Sequence, residues 1–498
     1  MKKYIFSLIF ILSGSLIFTS CEEDFLDTVP TDEVSAEAAV STTGNAYSLL
    51  NGIHRALYIR YEETQGNGGL GAHYIHLDSM GEDLVNNANT WFNRVYQWTA
   101  GSNPNDFYDR YPWLFYYRII ANANILINGI DNATGPQADI KIIKGQALVY
   151  RAFAHYQLVQ LYGDRYIKGA VNSQLGVPLK LNTLELNQPR ATVEDVYTQI
   201  NLDLKDAITA LSGYSRPNKS NINVNVAQGL KARVALTQGE WAEAATMASL
   251  ARTGTSLMSQ ATYRAGFQIF SETNPEFMWA SHIIVDQSDT FANFGGNMSR
   301  NFSSSAIRGN PRSISQTLYD KIPATDVRKS LFDATGLHTA LALPSNFARY
   351  PYTSQKFIAV STGDSRVDVP HMRAAEMFLI EAEARARNNE PVLARHALFS
   401  LISNRDASYV LSTNSGPALI DEIMIHRRVE LWGEGFRFYD LKRLNQALDR
   451  KVRATGSYEH TSVLTGAIFN IPAGDKRWTW LIPQLEMDAT PNMVQNPI

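Results

Sequence analysis

Residues 427–443 read RRVELWGEGFRFYDLKR and carry a regular pattern of opposite charges. Between Glu434 and Arg443 these charges recur every three residues, a spacing that makes them neighbours on a helix surface. Gly433 and Gly435 interrupt the helix around Glu434. We therefore interpret the segment as a buried ion-pair network at a turn, rather than as an active site. The residues of this predicted structural network are Glu430, Glu434, Arg437, Asp440 and Arg443.

Several segments upstream repeat apolar residues at helical spacing. Residues 192–211 place their apolar side chains on one face, and Thr192 with Asp195 matches a capping box. Residues 141–162 mix small and large apolar residues on one stripe, which suits close contact between helices. We predict a helix over each of these ranges.

Two further segments each predict a pair of helices. In residues 226–252, Gly239 permits a tight turn and a second helix begins near Trp241, which resembles a tetratricopeptide unit. A similar pair is predicted at 371–388 and 391–404, where Pro391 suits a helix start. Together these patterns predict a mostly α fold.

Residues 253–370 differ from the helical segments. Gly, Ser, Asn and Pro recur there, and the helical periodicity fades. We predict loops with short helices or strands. Long ordered loops on a rigid scaffold usually carry binding residues.

The N-terminus has the pattern of an export leader. Two lysines precede an uncharged, mostly apolar stretch from Tyr4 to Phe18, which is too short for a membrane-spanning helix. Phe18-Thr19-Ser20-Cys21 resembles the lipobox of bacterial lipoproteins, and Cys21 is the only cysteine of the chain. We predict that residues 1–20 are removed and that Cys21 is acylated, leaving residues 21–35 as a tether. The acidic residues after Cys21 resemble a surface-export signal, so we expect the outer face of the outer membrane.

Charge and composition exclude several classes of protein. The chain has 45 basic and 48 acidic residues and a formal net charge of −3, which does not suit a phosphate backbone, so no nucleic-acid partner is expected. With 45% hydrophobic and 19% charged residues the chain is globular rather than disordered.

The sequence shows no convincing catalytic or cofactor motif. Residues 66–71 satisfy G-x-G-x-x-G, but no buried strand precedes them, and we interpret them as a flexible loop.

His73 and His76 lack a third ligand signal, so neither a metal nor a cofactor is predicted. Asp78, Glu82 and Asp83 could supply a carboxylate pair of the kind that glycosidases use. The spacing of Asp78 and Glu82 places both on one helix face, where a solvated patch is the favoured interpretation, so the protein is not predicted to be an enzyme.

Aromatic residues are the better indication of a binding site. Residues 91–117 contain eleven aromatics. Flat rings suit the apolar faces of sugars, and nearby amides and carboxylates can bond the hydroxyl groups. We interpret the aromatics of residues 111–117 as core. The predicted ligand-binding residues are Trp91, Tyr96, Trp98, Asn93 and Asp78, with Trp279, Phe294 and Tyr319 in the irregular segment.

Four groups of residues together resemble the SusD/RagB lipoproteins of Bacteroidetes. The first is Cys21-Glu22-Glu23-Asp24-Phe25-Leu26-Asp27 with Pro30. The second runs from Gly145-Gln146-Ala147 through Arg151-Ala152-Phe153-Ala154 to Leu161-Tyr162-Gly163-Asp164. The third is residues 427–443, and the fourth is Leu481-Ile482-Pro483-Gln484 with Gln495-Asn496-Pro497. The chain departs from the family at Thr490-Pro491-Asn492 and in ending at Ile498.

The resemblance implies four tetratricopeptide-type helix pairs that support an irregular, loop-rich half. It also implies that this half binds an oligosaccharide, or in some members a peptide, above a SusC-like TonB-dependent transporter that the protein closes like a lid. Glycan binding without catalysis is the expected function; a peptide or another nutrient, a glycosidase and a purely structural lid remain alternatives. The expected domain is residues 36–498, with helical repeats near 36–60, 105–252 and 371–450 and the irregular half near 60–104 and 253–370.

Overall fold

Helices dominate the regular structure of the computed structural model, which describes residues 35–62, 64–89, 91–183, 187–461 and 466–497. The predicted leader and Cys21 lie outside the described residues. The helices are α1 (Ala36–Ala39), α2 (Thr43–Ala56), α3 (Gly69–Ser79), α4 (Asn93–Tyr96), α5 (Phe107–Gly129), α6 (Gln137–Tyr162), α7 (Val193–Ala210), α8 (Val224–Gln238), α9 (Trp241–Ala251), α10 (Gln260–Arg264), α11 (Phe294–Met298), α12 (Ser305–Gly309), α13 (Gln316–Tyr319), α14 (Ala374–Arg387), α15 (Pro391–Arg405), α16 (Gly416–Glu430), α17 (Arg437–Arg443) and α18 (Gln484–Ala489).

The strands are short and form five small antiparallel sheets among the described residues. They are β1 (Arg60–Tyr61), β2 (Thr64–Gly68), β3 (Leu84–Val85), β4 (Leu175–Pro178), β5 (Arg190–Thr192), β6 (Phe277–Ser281), β7 (Ser313–Ile314), β8 (Phe332–Asp333), β9 (Thr353–Ser354), β10 (Val369–Arg373), β11 (Leu448–Asp449) and β12 (Asn470–Ile471). The largest sheet has the order β3-β7-β9-β8 and joins the N-terminal part of the chain to the irregular segment.

Long helices pack in sequence to form the body of the protein. Helix α5 packs on α6 and α6 on α7, while α8 packs on α9 and α14 on both α9 and α15. The predicted helices at 141–162 and 192–211 are confirmed, and the Thr192 side chain caps α7 through a capping box with Asp195. Gly239 adopts a left-handed backbone (φ +77°) between α8 and α9, as the predicted turn requires. The tetratricopeptide assignment itself stays a prediction.

The segment 253–370 contains only short helices and strands, as expected. It is fixed to the body by strand pairing: β6 pairs with β10, and Leu84 of β3 lies opposite Ile314 of β7. No helix in the described part of the chain is both long and apolar enough to cross a membrane.

The glycine-rich residues 66–71 are not a flexible loop, so that prediction is wrong. They run from β2 directly into α3 and are buried against other parts of the chain. A Cβ atom on Gly68 would lie 1.5 Å from the carbonyl oxygen of Ala292, and one on Gly69 would lie 2.3 Å from that of Leu57. The glycines therefore allow close packing of main chain on main chain, and protein atoms fill the space that a phosphate would need.

The turn at Glu434 joins three separate segments of the chain. Helix α16 ends at Glu430, and α17 begins at Arg437 after Gly433 and Gly435, which both have positive φ. The buried carboxylate of Glu434 accepts hydrogen bonds from Lys356 (2.6 Å) and Arg373 (2.6 Å). Lys356 comes from the irregular segment and Arg373 from the end of β10, so the turn fixes both to the helical body.

The ion pairs of this segment are mostly not the ones that the three-residue spacing predicted. Of the three predicted pairs, the described ion pairs include only Asp440 with Arg443 (2.9 Å), and Asp440 also pairs with Arg427 (2.7 Å). Elsewhere the network reaches across the fold: Arg437 pairs with Glu82, and Arg443 also pairs with Glu383 (2.7 Å). Glu430 pairs with Arg373, Arg405 and Arg328. Gly433 and Gly435 turn the chain on either side of Glu434, so helical spacing does not hold from Glu434 to Arg437.

Candidate ligand-binding groove

An open groove of about 510 Å³ lies where the N-terminal part of the chain meets the irregular segment. We call it the Trp91 groove. One side comes from the loop between β3 and α4 and from the start of α5, and the other side comes from α12. Its lining residues are Asn89, Trp91, Phe92, Asn93, Arg94, Phe107, Tyr108, Ser305 and Ala306.

Hydrogen bonds between the two segments bring the sides of the groove together. The side chain of Asn310, directly after α12, accepts bonds from the main-chain N–H groups of Asn87 (2.7 Å) and Ala88 (2.9 Å). The Asn87 amide in turn donates to the carbonyl oxygen of Pro311 (2.8 Å). These bonds continue the pairing of β3 with β7, and they hold α12 beside the loop that carries Trp91. The buried Asn87 therefore has a structural role.

Trp91 presents the most accessible indole ring of the protein. All eight tryptophans lie in the described part of the chain; Trp91 keeps 37% of its surface exposed, while the other seven are buried or partly buried. Phe107 adds a second, half-buried ring to the groove. Exposed aromatic surface beside polar groups is typical of sites that bind small ligands.

Polar groups lie next to these rings. The Asn93 amide donates to Asn89, and its own carbonyl oxygen is buried without a hydrogen-bond partner among the described residues. The Arg94 guanidinium bonds the buried Asp106 (3.1 Å) and lies 5.0 Å from the centre of the Phe107 ring. The groove thus combines ring faces with amide and guanidinium donors, the groups that hydrogen-bond hydroxyl groups.

Two of the predicted ring contacts are wrong, because Tyr96 and Trp98 are buried. The Tyr96 hydroxyl bonds His460, and the Arg450 guanidinium covers its ring at 4.1 Å. The Trp98 indole N–H donates to the Met80 carbonyl (3.2 Å). Both rings point inward from α4 and the residues after it, so neither is accessible to a ligand.

Three further predicted ligand contacts are also contradicted by burial. Trp279 lies in β6 and packs edge-on against Phe153, and Phe294 packs against Phe357. Asp78, at the end of α3, accepts a main-chain hydrogen bond from Gly435 (3.0 Å). Burial raises the pKa of Asp78 to about 7 despite that bond. The expected solvated face at Asp78 and Glu82 is therefore an interior contact with the Glu434 turn.

Tyr319 is half-buried and lies outside the Trp91 groove. Its ring packs 4.9 Å from that of Tyr352, and the Lys329 ammonium group lies 4.5 Å above it. A ligand contact at Tyr319 stays a prediction.

A second cavity of about 410 Å³ lies between the ends of α6 and α17. Its one aromatic residue, Trp478, is buried, and the indole N–H donates to the Pro472 carbonyl. Lys442 donates to the carbonyl oxygens of Gln160 and Gly163. Since its ring and its ammonium group are both engaged in the fold, this cavity is the weaker candidate for stacking on a sugar.

Sequence reasoning identified Trp91 and Asn93 in the groove but missed Arg94, Phe107 and the α12 residues Ser305 and Ala306. Nothing in the local sequence marks α12 as a neighbour of Trp91, because their contact depends on the Asn310 hydrogen bonds. In the described residues no group of three or more His, Cys, Asp or Glu side chains is arranged to hold a metal ion.

Comparison with known families gives two matches. Residues 24–236 match the family model SusD-like_3, described as "Starch-binding associating with outer membrane", and residues 325–498 match the SusD_RagB model of the SusD family. No curated protein matches the chain.

Solved structures resemble the fold over almost its whole length. A SusD-like carbohydrate binding protein from Bacteroides vulgatus is 26% identical, with 91% of this chain and 97% of that chain covered and a TM-score of 0.77. A SusD superfamily protein from Bacteroides thetaiotaomicron is 25% identical, with 92% and 100% covered and the same TM-score. A laminarin-binding SusD-like protein shares the fold at 20% identity, with 92% and 99% covered and a TM-score of 0.69. The family models, the helical architecture and these neighbours agree: the chain belongs to the SusD family.

Proposed function

We propose that this protein binds a glycan in the Trp91 groove. The observation that carries the proposal is the exposed Trp91 ring, set beside the Asn93 amide and the Arg94 guanidinium. Stacking on a sugar face removes apolar surface from water, while the amides and the guanidinium replace the water that is bound to the sugar hydroxyls. Solved relatives named as carbohydrate binding proteins support the same ligand class.

We propose that the protein binds its glycan at the outer membrane. The family model that matches residues 24–236 is described as associating with that membrane. Acylation at Cys21 would anchor the protein, since two or more acyl chains hold a protein stably on a bilayer. From there the protein would deliver its glycan to a SusC-like TonB-dependent transporter, as the family resemblance implies.

A glycan array probed with the full chain, alongside a peptide pool, tests the ligand class. We expect retention on one group of glycans, with dissociation constants in the micromolar to millimolar range because few rings are in contact. Retention of peptides alone would overturn the proposal. Incubation with the retained polysaccharide should release no new reducing ends; sustained turnover would instead show an enzyme.

The anchor has a separate test. Cells that produce the native protein should retain it in the membrane fraction, whereas Cys21→Ser should release it to the soluble fraction. The released variant should keep its glycan affinity, because the proposed anchor acts on membrane attachment and the proposed ligand contacts lie in the Trp91 groove. A native protein whose residue 21 carries no lipid by mass spectrometry would contradict the proposed anchor.

A further inference from the structure

The Trp91 groove has a positive charge at its surface and no negative one. Arg94 is the only charged residue among the lining residues that the structure describes. The nearest carboxylate, Asp106, has a side chain that is 1% exposed, against 47% for Arg94. Asp106 also caps α5 by accepting a hydrogen bond from the Tyr108 N–H (2.9 Å). Asp106 is thus committed to the fold, whereas about half of the Arg94 side chain remains accessible to solvent while its Nε pairs with Asp106.

A second arginine lies directly behind the groove. The guanidinium carbon of Arg312 is 5.7 Å from the centre of the Phe92 ring, which lines the groove. Arg312 is buried and donates one hydrogen bond to the Asn86 side chain, while its Nε has no partner. Burial lowers the pKa of Arg312 to about 10, so it stays a cation at neutral pH. No carboxylate among the described residues forms an ion pair with it.

More arginines surround α12, the other side of the groove. Arg308 belongs to α12, and its carbonyl oxygen accepts a hydrogen bond from the Ala348 N–H (2.9 Å). Arg300 donates to the Ala348 carbonyl (2.6 Å), while two of its nitrogens are buried without a partner. Arg349 follows Ala348 and donates only to main-chain carbonyls. Within the described part of the chain, none of these three arginines forms an ion pair.

Elsewhere in the fold, carboxylates or main-chain carbonyl groups compensate the charge of buried arginines. Arg151 pairs with Asp203 (2.7 Å), and Arg233 pairs with Glu376 (2.6 Å). Arg450 has no carboxylate partner but donates to four main-chain carbonyls. An uncompensated guanidinium in the interior costs free energy. Among the described residues, the buried Arg312 and Arg300 are therefore exceptions, since neither has a carboxylate partner and each keeps a buried nitrogen without a hydrogen bond.

We infer that the Trp91 groove takes an acidic saccharide, whose carboxylate or sulfate group is bound by Arg94 and favoured by the uncompensated charge of Arg312. This inference rests on the proposed function. The planar guanidinium of Arg94 presents paired N–H donors that match the oxygens of either anionic group. Asp333 lies close enough to Arg300 to interact with it electrostatically, and its carboxylate accepts hydrogen bonds from the N–H groups of Thr335 and His338.

Matched pairs of acidic and neutral glycans test this inference on the full chain. One pair is oligogalacturonate and its methyl ester, in which each carboxylate is replaced by an uncharged ester; the other is a sulfated galactan such as carrageenan and its desulfated, neutral form. We expect the acidic member of at least one pair to bind about tenfold more tightly than its partner, because hydrogen bonds to charged groups are the stronger ones. Raising NaCl from about 50 mM to about 500 mM should remove most of the difference. The pair that responds distinguishes a carboxylate from a sulfate ligand.

Single substitutions show which residues cause the preference for the acidic glycan. Arg94→Gln should abolish the preference for the acidic member, and Arg94→Lys should keep part of it. Arg308→Gln should weaken the preference while it leaves the ion pair between Arg94 and Asp106 intact. It therefore tests the inference even if Arg94→Gln is unstable. Arg395→Gln, in α15, is the control with no expected effect, since that side chain contacts only the carbonyls of Thr413 and Asn414.

Equal or tighter binding of the neutral members would overturn the inference and leave the proposed function intact. Binding of no glycan at all would remove the proposed function itself. A preference for the acidic members that persists in both Arg94→Gln and Arg308→Gln would show that the anion is bound elsewhere, which also contradicts the inference.

Discussion

Trp91 and Trp98 show how burial separates two residues of the same type in one short segment. Phe92, between them, has a left-handed backbone (φ +75°), and the chain turns at that point. Trp91 is left at the groove surface, whereas Trp98 packs edge-on against Trp478 with 4.8 Å between ring centres. The residue type alone does not distinguish a ligand contact from a core contact.

We predict opposite effects for substituting these two tryptophans. Trp91→Ala should weaken glycan binding by about fivefold, since one ring contact is worth on the order of 1 kcal/mol, and should leave the melting temperature nearly unchanged. Trp98→Ala should lower the free energy of unfolding by about 3–5 kcal/mol because it leaves a cavity. Titration calorimetry and thermal melts of both variants measure these effects. A large loss of stability in Trp91→Ala would show that Trp91 is also a core residue.

At the scale of elements, the junction of β2 and α3 depends on main-chain packing. Gly68→Ala should destabilise the protein by about 3 kcal/mol, because the new methyl group overlaps the Ala292 carbonyl and the main chain must move. Gly52, in the middle of α2, is the matched control, since nothing lies within 4 Å of the position that a Cβ atom would take there. Gly52→Ala should stabilise by about 0.5–1 kcal/mol through helix propensity. Equal effects of the two substitutions in urea unfolding would contradict the close packing.

A second prediction at this scale concerns the stability of the turn between α16 and α17. Burial alone would raise the pKa of Glu434, but Arg373 and Lys356 hold it below its ordinary value. Glu434→Gln should therefore cost about 3–5 kcal/mol, because it leaves buried cations undercompensated. Asp131→Asn, which removes an exposed pair with Lys144, should leave the melting temperature unchanged. Loss of stability in the control alone would contradict the role assigned to this turn.

At the scale of the whole molecule, buried histidines couple stability to pH. Burial lowers the pKa of seven histidines from 6.5 to values of about 3 or 4, and it also lowers the pKa of His76 well below 6.5. The unfolded chain therefore binds more protons than the folded one below pH 6.5. The seven are His54, His73, His155, His338, His371, His426 and His460.

We predict that the melting temperature falls as the pH drops from about 6.5 towards 4, because each proton taken up favours the unfolded chain. The carboxylates with depressed pKa values, such as Glu434 and Asp440, add to the loss below about pH 4.5. Asp78 opposes the trend, since its raised pKa makes the folded state bind the extra proton between about 4 and 7. Thermal melts in a series of buffers between about pH 4 and pH 6.5 measure the net effect of these groups on the melting temperature. A melting temperature that is constant or rises on acidification over this range would contradict the prediction.

The family and the helical body could be predicted from the sequence. Amphipathic periodicity, the Thr192 capping box, the Gly239 turn and Pro391 act over three or four residues, so each is visible in the residues themselves. The motif at residues 427–443 added the family. The same local reasoning predicted wrong partners for Glu434 and Arg437, because Gly433 and Gly435, on either side of Glu434, change the direction of the chain there.

The tertiary structure alone decided which aromatic residues are accessible and where the groove lies. Tyr96, Trp98, Trp279 and Phe294 are buried by segments that are distant along the chain. The groove exists because Asn310 bonds the main chain of residues 87 and 88 and so holds α12 beside Trp91. Helix formation depends on neighbours along the sequence, whereas exposure depends on contacts among distant residues, which no local pattern records.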